Sequence, residues 1–558
     1  MAADVDVPFL VVGAGPTGMT LARLLANAGR RCLVVERRDG PQPNPSAHVV
    51  NARTLEIFRQ AGFDMAAIEA IAKDPVDAGW VNFVTRLNGE LIGRLPFERQ
   101  GDECLALTPT PLRNISQHRL EPLMAAALAT EPLVEIRHGV EWVSGEQDGD
   151  GVTSIVRDVE SGDELVVRSS YLLGADGAGS AVRKWLGIDM IGPASLQDFV
   201  AIHLLADLRR YVTERLGVLH FVMDPDASGT FIAHDLDREW VFMTSYDASV
   251  ETAADYDTGR GAAIVRAAIG DDAAPVEVVR TGTWHMTAQV AERMRDGRVF
   301  LVGDAAHRFP PTGGMGLNTG VADAQGLVWK LCAVEDGWAT SRLLDTYEVE
   351  RHPVAVTNCD QSASNAFKMV SLYQALEVRP GTTGADLAVV LGDPSKRDTI
   401  AAAVQDQATH FDMLGLQLGY VYADGALVRD GDPPAPITDP SVFDPAGEVG
   451  ARLPHGWLPD GRSTLDLVAG DAFTMFSAGS HDRWAAALDA AATATGVPVR
   501  HVRLGEDVAE PDGWAARCRL GPAAAMLVRP DQHVAWRAEA TPLEPAAAIE
   551  DALRTILC

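Results

Sequence analysis

Cysteine is scarce in this sequence. There are six in 558 residues, Cys32, Cys104, Cys332, Cys359, Cys518 and Cys558, and no two form a C-x-x-C pair. That removes the spacing of a zinc knuckle or a dithiol redox site, and no metal site is expected. The scatter fits reduced thiols in a cytoplasm. Basic charge is also short. Forty-seven Lys and Arg face 77 Asp and Glu, a formal net charge of −30. Such a balance argues against nucleic acid and anionic membranes, which reward basic patches. It is the charge of a solubilising surface, and a single site can still be locally basic. The opening "MAADVDVPFLVVGAG" has neither a basic n-region nor a long apolar h-region, and no uninterrupted apolar run reaches membrane-spanning length. A cytoplasmic location is therefore expected. Internal repeats and low-complexity tracts are absent as well.

What is present is a soluble globular balance, 47% apolar and 22% charged, in a chain long enough for two or three domains. The first strong pattern is "PFLVVGAGPTGMTLARLLANAGRRCLVVERR". Phe9 to Val12 reads as a buried strand, Met19 to Ala28 as a helix, and Cys32 to Val35 as a second buried strand ending at Glu36. Gly13, Gly15 and Gly18 form G-x-G-x-x-G at the turn, with Pro16 and Thr17 between them. Gly13 permits the tight turn, Gly15 lets backbone approach a pyrophosphate, and Gly18 lets helix and strand pack closely. The helix N-terminus offers N–H groups to phosphates, and Glu36 stands where a carboxylate can accept from ribose hydroxyls. This is a dinucleotide-binding βαβ unit.

From about Phe199 to Val290 the texture changes to short alternating runs, "FVAIHLLADL", "VLHFVMD", "GTFIAH" and "EWVFMTSY", the pattern of an antiparallel sheet. After Gly326 the pattern turns helical. From about Pro380 to Gly450 helix mixes with a Pro- and Gly-rich linker, and a last αβ-type stretch runs from about Pro454 to Cys558.

Two more segments are specific. In "YLLGADGAGSAVRKWLGI" a strand runs into Gly174, Ala175, Asp176 and Gly177. In "RVFLVGDAAHRFPPTGGMGLNTGVADAQGLVWKL" a strand ends at Gly303 and Asp304, a loop holding Pro310, Pro311 and Gly314 follows, and a helix starts near Asn318. With the first motif, and in this order, they resemble the flavoprotein aromatic hydroxylases, single-component FAD monooxygenases of the p-hydroxybenzoate hydroxylase fold. "PSAHVVNARTLEIFRQAGF" and "FDMLGLQLGYVYADGALV" look like the phenol, chlorophenol and hydroxybiphenyl hydroxylase branch. The tail is similar to that branch's thioredoxin-like C-terminal domain, which would be structural here because it lacks C-x-x-C.

The fold this implies is α/β and α+β: a Rossmann-like FAD-binding domain, a mixed antiparallel substrate-binding sheet and a C-terminal thioredoxin-like domain. The expected boundaries are 1–190 with 280–380 for the discontinuous FAD domain, and 191–279 for the substrate sheet. A helical segment and linker occupy 381–450, and the C-terminal domain 451–558.

The resemblance also implies residue roles. Asp304 would accept from the ribityl hydroxyls. The backbone of Gly316, Leu317 and Asn318 would face the pyrimidine edge of the flavin, where N–H groups and the helix dipole stabilise negative charge. Gly303, Gly314 and Pro311 shape that loop. Asp176 would be shared between FAD organisation and NAD(P)H use. Arg113 and Gln117 fall where the family places FAD contacts, and Arg53 would support the flavin or its loop. His307 reads as loop scaffolding, and His234 and Tyr246, on the sheet, receive no role.

The implied reaction uses FAD, NADPH or NADH as transient reductant, and dioxygen. Reduced flavin and dioxygen give a C4a-hydroperoxide, which transfers one oxygen to an aromatic carbon of a small phenolic substrate, ortho to its hydroxyl. A phenol reacts faster as phenolate, so a base helps. In the hydroxybiphenyl hydroxylase-like branch that base falls at His48, the first catalytic candidate; a histidine that only packs near FAD is the plainer alternative. Where the branch carries Arg two residues earlier, this chain has Ser46, which puts phosphate contact and NADPH preference in doubt; Arg37 or Arg38 could compensate. No second G-x-G-x-x-G exists for a separate NAD(P)H domain. A homodimer is the expected assembly. The nearest rival is a polyketide or antibiotic hydroxylase of the same fold acting on a larger polycyclic phenol. A flavin-dependent halogenase would favour a Trp-x-Trp-x-Ile-Pro motif, which is missing, and a non-catalytic FAD-binding or drug-sequestering protein is the remaining reading.

Overall fold

The computed structural model describes residues 3–479 and 481–558. Its largest sheet is built on the apolar runs read from the sequence. Strand Val5–Val12 lies between Cys32–Glu36 and Glu164–Gly174, parallel to both, and Val134–His138 and Val299–Leu301 extend the parallel set on either side. Runs such as "FLVV" and "CLVVE" are apolar throughout because both faces of the parallel sheet are covered. One cover is the helix Pro16–Asn27. Another is Met315–Glu335, buried along most of its length.

A second sheet of seven strands stands against this unit. Its order is Glu277–Met286, Gln197–Leu205, Glu239–Ser245, Gly229–Asp235, Leu219–Val222, Trp80–Val84 and Leu91–Pro96. Val200, Ile202, Phe231, Trp240 and Phe242 pack one face on the helix Thr258–Ile269. The sheet reaches beyond the stretch 191–279. It recruits Trp80–Val84 and Leu91–Pro96 from the first hundred residues, and its edge strand runs on to Met286. Trp80–Val84 pairs parallel to Leu219–Val222, a long-range pairing that no local pattern announces.

The 30-residue helix Thr346–Ala375 leads to short helices at Gly384–Gly392, Arg397–Gln405 and Leu414–Leu418. The C-terminal unit is thioredoxin-like. Its four strands run in the order Val499–Arg503, Phe473–Ser477, Ala525–Val528 and Val534–Ala538, with only the first pair parallel, and the helices His481–Thr495 and Pro545–Ile556 pack on them.

Buried ion pairs tie this unit to the rest. Glu350 joins Lys330 and Arg529, Arg529 also pairs with Asp531, and Arg452 pairs with Glu56. Buried charges persist only when paired, so this seam fixes how the units meet.

Candidate active site

The nucleotide cradle follows from the glycines. Gly13 has φ +104°, and a Cβ there would lie 2.3 Å from the Ala175 carbonyl oxygen. A Cβ on Gly18 would lie 1.9 Å from the Gly13 oxygen, so both positions need glycine to close the turn. Gly15 differs: nothing lies within 4 Å of its Cβ position. That open side faces a helix start without a side-chain cap. Pro16 takes the first position, leaving the N–H groups of Thr17 and Gly18 for an anion. Glu36 accepts from Ala14 N at 2.9 Å and from Arg38 N and Nε at 3.0 Å each. Burial alone would raise its carboxyl, but the hydrogen bonds from Arg38 and Ala14 hold it below the usual range. The partner is therefore Arg38; Arg37 is exposed and makes no side-chain hydrogen bond. Gln117 reaches the same edge, donating to Glu121 Oε1 at 2.7 Å beside Arg38.

The second wall is the Gly303–Asn318 loop. Gly303 has φ +64°, and Thr17 packs against it and Gly320. Asp304 is exposed although protein crowds around it, and its carboxylate makes no hydrogen bond among the described residues. Desolvation pushes its carboxyl up. Gly316 stands opposite, its Cβ position 3.7 Å from Asp304 Oδ1. Helix Met315–Glu335 begins after Gly314, itself at φ +62°, with no side-chain cap. Its free N–H groups belong to Met315, Gly316 and Leu317; Asn318 is one residue too deep. The Asn318 side chain is fully used within the protein. It accepts from Asn51 N and Thr54 Oγ1 and donates to the Val49 and Gly314 carbonyls. Asn318 thereby joins the flavin loop to "AHVVNART". Pro311 closes the turn by accepting from Gly314 N. His307 is scaffolding, as expected: its Nε2 lies 2.7 Å from Asp323 Oδ2, and Asp323 also takes Arg351 and Gly303 N.

Asp176 accepts from Ala181 N and Val182 N through one oxygen, and its other oxygen is buried without a partner. That orphaned oxygen, the unpaired Asp304, the open side of Gly15 and two uncapped helix starts are what a bound dinucleotide would satisfy. The residues fit FAD.

Besides the Asn318 backbone, two more residues expected at the cofactor are engaged elsewhere. Arg53 is 2% exposed, and its guanidinium donates to Glu56, Gln325, Gln532 and the Asp531 carbonyl. Both terminal nitrogens are consumed, so Arg53 joins the FAD unit to the C-terminal unit and leaves the flavin to others. Arg113 donates to Glu69 and to the Gln100 and Leu112 carbonyls, which takes its charge away from the nucleotide.

His48 lies beside the flavin loop, since the next residue, Val49, packs on Gly314. It faces Phe97 at 6.2 Å and His234 at 5.9 Å between ring centroids. Its Nδ1 is 3.0 Å from Asn114 Oδ1. The orientation of that amide is forced. Gln100 Nε2 donates to the Ala78 and Phe97 carbonyls, Gln100 Oε1 then accepts from Asn114 Nδ2, and Asn114 Oδ1 is left to accept from His48 Nδ1–H. His48 Nε2 is therefore the lone pair, and it has no partner among the described residues. Burial, then the nearby charge of Lys73, lowers the imidazole to about 3, so before a phenol binds it is neutral at working pH. Lys73 is itself depressed to about 7 by burial. Gln100, Asn114, Lys73 and Phe97 carry no sequence motif; of these neighbours only Asn114 stood near one, in "PLRNISQHRL".

Comparisons with known proteins show the family. The FAD binding domain family matches residues 5–362, and the family described as aromatic-ring hydroxylase, C-terminal, matches residues 446–558. The chain belongs to the FAD-dependent aromatic-ring hydroxylases. This hydroxylase is 32% identical to 2,4-dichlorophenol 6-monooxygenase of Cupriavidus pinatubonensis, over 100% of this chain and 97% of the relative. It is 33% identical to tetracenomycin B2 monooxygenase-dioxygenase of Streptomyces olivaceus, over 99% of each. The solved structure of the flavin-dependent monooxygenase PieE with FAD and substrate superimposes with a TM-score of 0.93 at 35% identity, covering 100% of both chains. The hydroxylase is a flavin-dependent aromatic monooxygenase. Among the described residues no helix is long and apolar enough to cross a membrane.

Proposed function

We propose that this hydroxylase places one oxygen atom ortho to the hydroxyl of a phenolic substrate, with NADPH or NADH as reductant and His48 as the base. The observation that carries the reading is the tautomer of His48. Its lone pair is fixed on Nε2, next to the loop that would hold the flavin. Bound FAD supplies the oxidising chemistry with dioxygen. Thr17 and Gly18 N–H groups would take its pyrophosphate, Glu36 a ribose, Asp304 the ribityl chain, and Gly316 and Leu317 the pyrimidine edge. The protein's own part is to bind, aim and exclude water. His48 Nε2 takes the phenol proton, because the phenolate this leaves in contact with it raises an imidazole that is otherwise held low, and Phe97 gives the ring an apolar wall. Asn114 holds the imidazole so that its N–H cannot turn toward the substrate.

Pyridine nucleotide use follows from charge. Ser46 stands exposed where an arginine would, and Arg38 is taken by Glu36, so Arg37 is the free cation on this edge. A cytoplasmic homodimer is part of the same reading.

The relative named for tetracenomycin B2 favours a second reading, a polycyclic phenol as substrate. One experiment tests both: coupled NAD(P)H consumption by purified holoenzyme over simple and polycyclic phenols, with product mass and peroxide measured under labelled dioxygen. Turnover with simple phenols supports the first reading, and turnover confined to polycycles the second. Absence of label in any product would overturn both in favour of a non-catalytic FAD protein.

A further inference from the structure

His234 sits where the second sheet breaks register. Strand Gly229–Asp235 slips against Glu239–Ser245 between Ala233 and Asp235, and such a bulge re-aims a side chain. The His234 ring is 1% exposed and meets His48 edge-on, at 83° and 5.9 Å. Its Nδ1 lies 2.6 Å from Ser116 Oγ. Ser116 precedes the helix Gln117–Ala129 in the capping position but makes no cap hydrogen bond, because its hydroxyl is turned to His234. Ser116 Oγ has no other partner among the described residues. If it accepted from Nδ1–H, its own buried hydrogen would be left without an acceptor; donating to Nδ1 satisfies both groups. His234 then carries its proton on Nε2, and that nitrogen has no partner among the described residues. His48 has the opposite tautomer. Two neutral rings 5.9 Å apart thus leave one lone pair and one N–H without a partner among the described residues. The charged and titratable groups facing His234 are Lys73, His48, Glu239 and His118, and Glu239 is engaged by His118 and His203 at 3.1 Å each.

We propose that His234 is a second catalytic residue of this site, whose Nε2–H holds the substrate oxygen as His48 removes its proton, with Ser116 as the positioning residue that sets its tautomer. The phenol O–H bond breaks, the proton passes to His48 Nε2, and the electron pair stays on the oxygen, which accepts from His234. The proposal rests on the phenol-hydroxylase reading above.

The test is the ionisation of 4-nitrophenol bound to FAD-loaded holoenzyme, followed by difference absorbance against pH. The wild type should bind it as phenolate at lower pH than free solution. His234→Phe should weaken the bound phenolate about ten-fold or more, the scale of a lost hydrogen bond to a charged group, with FAD content unchanged. Ser116→Ala should shift it in the same direction, and serves alone if His234→Phe fails to fold. His234→Gln, which keeps an N–H, should recover part of the effect. Unchanged ionisation in His234→Phe and Ser116→Ala, with a shift in His48→Asn, would overturn the role of His234 and leave the phenol reading standing. No phenolate bound by the wild type would overturn both.

Discussion

Asn114 Oδ1 stands 3.0 Å from His48 Nδ1, while the Asn114 amide nitrogen is spent on Gln100 Oε1 at the same distance. The chain ends at two backbone carbonyls, which can only accept, so the protonation of His48 is decided at Gln100. Asn114→Leu is expected to keep its flavin and lose product formation by about 100-fold, the scale of general-base catalysis. Rapid-quench product analysis would check this; full coupled turnover would show that the imidazole needs no such anchor.

His48→Ala should remain yellow and lose coupled turnover mainly at low pH, where little free phenolate can bypass the base. Burial holds the His48 imidazole near 3, so its own protonation should not produce an acid limb between pH 5 and 8 in the wild type. A pH profile of hydroxylated product decides both points. Equal coupled rates for variant and wild type at every pH would remove His48 from the mechanism.

Asp304 has no hydrogen-bond partner among the described residues, which leaves its carboxylate for a ligand. Asp304→Ala should weaken FAD binding about 10- to 100-fold, the loss of hydrogen bonds to a charged acceptor. Fluorescence titration of the apoprotein with FAD measures it, and unaltered affinity would contradict the assignment.

Arg53→Ala should act on stability. It strips donors from Gln325, Gln532 and the Asp531 carbonyl at the seam with the C-terminal unit, at a cost of about 3 kcal/mol or more. Thermal unfolding should shift down sharply, while the folded variant binds FAD normally in the cold. Normal stability with lost FAD affinity would restore Arg53 to the flavin.

Acid should destabilise the protein through His220 and His410. Burial lowers both to about 3, against about 6.5 unfolded. The unfolded chain binds more protons between these values, so stability is full above about 6.5 and falls as pH drops toward 3. Each contributes about 1.4 kcal/mol per pH unit in that window. Urea midpoints at pH 7.5 and 5 would show it, and His410→Phe should flatten the dependence.

The sequence by itself determined the cradle and the loop. Gly13, Gly15, Gly18, Asp304 and Gly316 were legible because a tight turn, a close backbone approach and a strand-end carboxylate are local demands on residue type. The motif that contains His48 made it a candidate, and the fold puts it beside the loop. Tertiary structure decided the rest. Arg53 lies in the same motif, but three of its four partners are more than 270 residues away, and which of them would claim its guanidinium depended on how the C-terminal unit docks. The Gln100–Asn114–His48 relay joins a loop, a two-residue strand and an extended segment, and His234 comes from a bulge in another sheet. Sequence patterns report periodicity and turns, which are set by near neighbours. A hydrogen-bond direction is set by which distant donor or acceptor fills the last vacancy around a buried group, and only the folded chain supplies that neighbour.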